Sequence, residues 1–144
     1  MKEKEDINAL DEIHKGACMG IDAINFIMDK IEDRSLKKEL EKEEKEYNII
    51  KEKIEKIYPK YNEGKPHETG VMTKAMTWSS VEMKTMMDKT NSNLAELLLQ
   101  GVNMGVIEGR RILNEKKINQ EVESIVTDYV TMQEKNVETL KKYL

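Results

Sequence analysis

Residues 36–61 read LKKELEKEEKEYNIIKEKIEKIYPKY, and the placing of their apolar side chains decides the fold class. Leu36, Leu40, Tyr47, Ile50, Ile54, Ile57 and Tyr61, with Glu43 in the same series, recur at alternating steps of four and three. That spacing is one face of an α-helix and does not match the two-residue alternation of a half-buried strand. The opposite face is almost wholly Lys and Glu, with pairs four apart such as Glu41/Lys45 and Glu52/Lys56. Such pairs support a solvated helix surface. Pro59 limits the helix, and Asn62-Glu63-Gly64-Lys65-Pro66 is the clearest break in the chain.

Upstream, Leu10, His14, Ala17, Ile21, Ile24, Met28 and Ile31 predict a first amphipathic helix from about Glu5 to Asp33. Ser35 is placed to cap the second helix, and so short a connection makes the two helices antiparallel neighbours. Downstream, a third helix is expected from near His67 to about Lys89, and Thr90-Asn91-Ser92-Asn93 reads as a stop followed by a fresh N-cap. A fourth helix spans about Ser92 to Glu115. The last, about Asn119 to Leu144, carries Val122, Ile125, Tyr129, Met132, Val137, Leu140 and Leu144 as its apolar side.

A helix of about 22 residues covers ~33 Å, the length of a small bundle. The third segment therefore returns the chain to the end where the second helix began, so the second and fourth helices run parallel while each hairpin stays antiparallel. The expected fold is all-α: a ferritin-like up-down four-helix bundle with an additional helical crossover between the second and third bundle helices. Its 144 residues suit one domain, 1–144.

Composition narrows the function. Only 7 Gly and 2 Pro leave little room for the turns of a β-sandwich, and the single cysteine, Cys18, excludes an internal disulfide. A net charge of −4 disfavours nucleic acid. The most apolar run, Leu94 to Ile107, is interrupted by Glu96, Gln100 and Asn103, and no basic start leads into an apolar stretch. A soluble cytoplasmic protein is the expectation, with no membrane or nucleic-acid partner.

The whole chain resembles an uncharacterised bacterial family of ferritin-like helical-bundle proteins of unknown function. The resemblance rests on the opening hairpin with Leu36 to Tyr61 as its second helix, and on a middle helix holding Trp78 with Lys84 downstream. Leu94 to Leu113 and the final amphipathic helix complete it. It implies the ferritin-like fold and brings no reaction with it.

Ferritin-like di-metal centres use inward carboxylates and a Glu-x-x-His on each of two helices. This chain has no Glu-x-x-His; its nearest substitute is Glu44-x-x-Tyr47. Glu43 and Glu108 fall on or beside inward stripes, and Gln133 is borderline. His14 shares a helical side with Asp11 and Cys18, enough for two ligands but not a complete site. A degenerate metal-binding or redox centre would draw on Glu43, Glu44, Tyr47, Glu108 and His14, with iron, manganese or zinc. The same carboxylates serve equally as buried, paired structural groups.

Five of the ten methionines lie between Met72 and Met87, around Trp78. Thioethers beside His67 could hold copper(I), which ranks below the other metals, but flexible Met side chains also suit an irregular packing surface or a partner. Met72, Met76, Trp78, Met83 and Met87 form the expected contact surface of a homodimer or of a complex with another protein. Gly16 and Gly20, like Gly101, Gly105 and Gly109, recur every four residues inside helices. Each costs about 1 kcal/mol against Ala, which the close packing of the first helix on the fourth would explain. The reading that results is a non-catalytic structural or protein-interaction module needing no cofactor, with the degenerate metal or redox centre as its alternative.

Overall fold

The computed structural model describes residues 2–66 and 90–144. The segment read as a third helix, with Met72, Met76, Trp78, Met83 and Met87, lies outside the described residues. The rest is all-helical: α1 is Lys2–Met28, α2 is Arg34–Ile57, α3 is Asn91–Glu115 and α4 is Gln120–Lys141. A 3-10 turn, Tyr58–Lys60, ends α2 at Pro59, as a ring without an N–H requires. Among the described residues, no helix is long and apolar enough to cross a membrane.

Local chemistry sets the helix starts. Asp33, two residues before the expected Ser35, caps α2 by accepting the Leu36 N–H at 2.9 Å. A carboxylate at the positive end of a helix is the stronger cap, and Ser35 is instead hydrogen-bonded to the Tyr143 hydroxyl at 2.6 Å. Thr90, in extended backbone, starts α3 by accepting from Asn93 N–H. Asn119 does the same for α4 with Val122. Between them, Lys116 takes a left-handed conformation (φ 53°) to end α3.

Paired contacts give the helix directions. Tyr58 donates to Asp11 at 2.8 Å and His14 stands 3.5 Å from Glu55, so α1 and α2 are antiparallel. Tyr61–Glu121, Lys53–Asp128 and Tyr47–Gln133 run antiparallel along α2 and α4, and Arg110–Glu134 joins the antiparallel α3 and α4. Asp6 meets Asn119, and Gly16 meets Tyr129, so α1 and α4 point the same way. It follows that α2 and α3 are parallel, and both begin at the end where Asn91 donates to Asp33 at 3.3 Å. Round the bundle the order is α1, α2, α4, α3.

The core joins the inward stripes of all four helices. Leu36, Leu40, Tyr47, Ile50 and Ile54 of α2 are buried, as are Leu10, Ala17 and Ile24 of α1. Ile13, Ile27, Val126 and Val130 widen these faces beyond the sequence stripes, because two neighbouring helices, not one, receive each face. Leu144, expected on the apolar side of the last helix, is exposed because the helix ends at Lys141 and its inward stripe ends with it.

Asp6 is buried and holds α4 at its start, accepting from Asn119 N–H (2.8 Å) and Nδ2 (3.2 Å), while that amide also donates to the Tyr61 hydroxyl. Replacing Asn119 with Ala removes the cap and the Nδ2 donation to Asp6, leaving that carboxylate its bond from the backbone N–H alone. Urea unfolding should show a loss of about 1–2 kcal/mol, the upper range for a lost cap.

Candidate functional site

The chemistry inside the bundle centres on two tyrosines. Tyr47 of α2 donates to Gln133 Oε1 of α4 at 2.8 Å, fully out of solvent. Gln133 is also hydrogen-bonded to Tyr129, so one amide ties both phenols together. Burial pushes the Tyr129 hydroxyl up to about 12 and raises Tyr47 further, the nearby Tyr129 adding to the latter. Both stay neutral hydrogen-bonding groups at any physiological pH.

The helix-interior glycines make room for these rings. A Cβ on Gly20 would fall 2.5–2.8 Å from three atoms of the Tyr47 ring. On Gly16 it would fall 2.5 Å from the Tyr129 hydroxyl, and on Gly105 2.8 Å from that same hydroxyl and 2.7 Å from Gln133 Nε2. Gly109 faces Val130. The glycines thus receive side chains of α2 and α4 rather than the neighbouring backbone expected from their spacing. Gly101 departs from the set: among the described residues its Cβ position meets nothing within 4 Å, and that side of α3 is exposed.

One turn from Tyr47, Glu43 is 1% exposed and its Oε2 has no hydrogen-bond partner among the described residues. Burial, reinforced by Glu39 and Glu46, raises its carboxyl to about 8, so it is largely protonated at neutral pH. Glu46 Oε1 and Asn136 Nδ2 are also buried without a partner, and the antiparallel register puts Asn136 one turn beyond Gln133, towards the Glu43 end.

The residues proposed for a degenerate metal centre are dispersed. Glu43 and Tyr47 share the inner face of α2, while Glu44 lies beside it, half-buried. Glu108 is on the exposed side of α3. Partial burial and the adjacent Glu12, to which it is hydrogen-bonded, raise its carboxyl. Of the two nearby arginines, Arg111 acts on it electrostatically in the opposite sense, while Arg110 reaches Glu134 at 2.6 Å. His14 is level with Glu55, twelve positions along α2 from Glu43, which is ~18 Å of helix rise. Among the described residues no three His, Cys, Asp or Glu side chains form a group able to hold a metal.

Some of the chemistry escaped sequence reasoning. Tyr129 was legible as an inward position but not as a polar partner, Asn136 was not singled out, and Glu55 gave no signal at all, being one of many glutamates on a charged helix. Comparison of the chain with models of protein families, with curated proteins and with solved structures finds no match.

Two substitutions should move stability in opposite directions. Gly20→Ala drives a methyl into a rigid buried ring and should cost about 1–3 kcal/mol by chemical denaturation. Gly101→Ala, with open space and better helix propensity, should gain up to about 1 kcal/mol. A third concerns pH. The folded protein holds the Glu43 proton to about pH 8, whereas the unfolded chain releases it near an ordinary glutamate value, so stability from this group falls as pH rises between the two. Glu43→Gln should match wild type near pH 4.5 and exceed it by about 1–3 kcal/mol at pH 8, the cost of an unsatisfied buried group.

Proposed function

We propose that this chain is a non-catalytic, ferritin-like bundle module that acts through its surface, by association with a second copy or with another protein. The observation that carries this reading is the closed centre. In the middle of the bundle, where carboxylates from facing helices would have to converge to hold a metal, Tyr47, Gln133 and Tyr129 fill the space and bond to one another, and Gly16, Gly20 and Gly105 bring α1 and α3 close around them. Phenols held neutral by burial are poor ligands, and a glycine supplies none.

The ferritin-like part is supported by direction and neighbourhood. Parallel α2 and α3, with α1 and α3 as antiparallel neighbours, are what one long crossover between two hairpins requires. The surface part is supported on α3, whose outer side carries Met104 at 60% exposure and Ile107 at 52%, one turn apart beside the bare Gly101. A flexible thioether next to a branched aliphatic is suited to an adaptable contact.

The alternative, a metal or redox centre, finds its support in the unpartnered oxygens of Glu43 and Glu46. Metal analysis separates the two readings. Untagged protein is exposed to Fe(II), Mn(II), Zn(II) and anaerobic Cu(I), desalted, and measured by mass spectrometry. Less than a tenth of an equivalent is expected on the proposed reading; one or two tightly held ions per chain would replace it. Light scattering after size exclusion should give twice the 16.8 kDa chain mass if the partner is a second copy. Met104→Glu with Ile107→Glu should return it to one chain if this part of α3 contributes to the contact.

A further inference from the structure

Cys18 and His14 lie one turn apart on α1, with Sγ 3.7 Å from Nδ1. The other ring nitrogen, Nε2, stands 3.5 Å from Oε1 of Glu55, which α2 brings across the hairpin. That separation is long for a hydrogen bond and is an ion-pair distance once the imidazole is protonated. The ring is 1% exposed, so packing fixes its orientation, while Cys18 is only partly buried and Glu55 is 43% exposed. Lys51 lies 4.0 Å from the same Glu55 oxygen, and on α1 Asp11 and Asp22 are the acidic residues a turn or so either side of this pair.

A cysteine on an amphipathic helix is ordinarily an inert small hydrophobe. Here a second helix supplies a carboxylate to the base that faces it. Thiol, imidazole and carboxylate therefore stand in the order of nucleophile, general base and charge-balancing acid. The backbone N–H groups around Cys18 are committed to the interior of α1, so among the described residues this helix offers no donor pair for an oxyanion, and acyl transfer is not the chemistry the arrangement favours. A small electrophile that needs no such donors fits it.

We propose that Cys18 is a reactive thiol, deprotonated by His14 with Glu55 placed to pair with the imidazolium, and that it undergoes reversible oxidation by a hydroperoxide. The thiol proton passes to the imidazole, and the thiolate sulfur attacks one peroxide oxygen. The S–O bond forms as the O–O bond breaks, and the departing oxygen takes the imidazolium proton. With hydrogen peroxide the products are the sulfenic acid and water: sulfur loses two electrons and the peroxide gains them. Because Cys18 is the only cysteine in the chain, recovery requires an external thiol. That thiol condenses with the sulfenic acid, releasing water and forming a mixed disulfide, and a second thiol exchanges to free Cys18. This site is independent of the surface role proposed above.

The test is the pH profile of iodoacetamide alkylation of the full-length chain, read by intact mass, with dimedone trapping after one equivalent of hydrogen peroxide. The wild-type profile should place the apparent thiol pKa below the ordinary value of about 8.5, and dimedone should label Cys18. His14→Gln should return the profile to the ordinary range and slow alkylation at pH 7 by about tenfold, with Glu55→Gln giving a smaller loss of about two- to threefold. His14 is buried, so its variant is read only where circular dichroism matches wild type; the wild-type profile and trapping stand without it. An apparent pKa at or above the ordinary value, no dimedone adduct, or a folded His14→Gln that reacts like wild type would each overturn the proposal.

Discussion

The fit of two tyrosines into three glycines is the constraint on which the rest of this bundle depends. Tyr47 lies flat against Gly20, and the Tyr129 hydroxyl sits between Gly16 and Gly105, with Gln133 bonded to both phenols. Glycine inside a helix gives up about 1 kcal/mol each relative to alanine. The loss is offset by burying two large rings whose hydroxyls keep a partner, since a phenol left unsatisfied in the core costs more than a glycine does. A Cβ at these positions would force α1 and α3 outward or turn the rings out of reach of the amide. The interhelix register then follows, because Tyr47 can oppose Gly20, and Tyr129 can oppose Gly16, at one setting of the helices only.

That register distributes the other polar groups. At one end it brings Asp6 to the start of α4 and Tyr61 to Asn119; at the other it brings Asn91 to the Asp33 cap. Both ends of the bundle are thus closed by side chains that also cap helices, so local and tertiary structure stabilise each other. Between the ends, Glu43 and Asn136 are left with unpaired atoms. A carboxylic acid kept protonated by burial is a tolerable occupant of a core; a carboxylate is not. Around Glu43 and Tyr47 the bundle therefore keeps a polar interior without keeping a charged one, which is a different solution from that of a metal-holding bundle, where charge on the ligands is balanced by the ion.

Much of the fold was legible because helical periodicity is a property of the chain alone. The stripe from Leu36 to Tyr61, the break at Asn62–Pro66 and the restart at Thr90 need only local information, and so does the inward placing of Glu43. The boundaries shifted where two caps competed: Asp33 displaced Ser35 because a carboxylate suits a helix start better than a hydroxyl. The glycines announced a steric demand without saying what would fill it. Spacing suggested a backbone, and tyrosine rings took the place, since a groove of fixed width accepts either.

The sequence by itself determined which residues share a face, because positions three and four apart on a helix are neighbours whatever surrounds them. His14 with Cys18, and Glu43 with Tyr47, are pairs of that kind. Only the tertiary structure decided which faces meet at which level: that Glu55 arrives at His14, that Gln133 arrives at Tyr47, and that Glu108 turns away to Glu12. The physical reason is that helix register is set by the summed packing of many side chains from different helices. A shift of one turn, ~5.4 Å, would leave every local pattern unchanged and break each of these meetings.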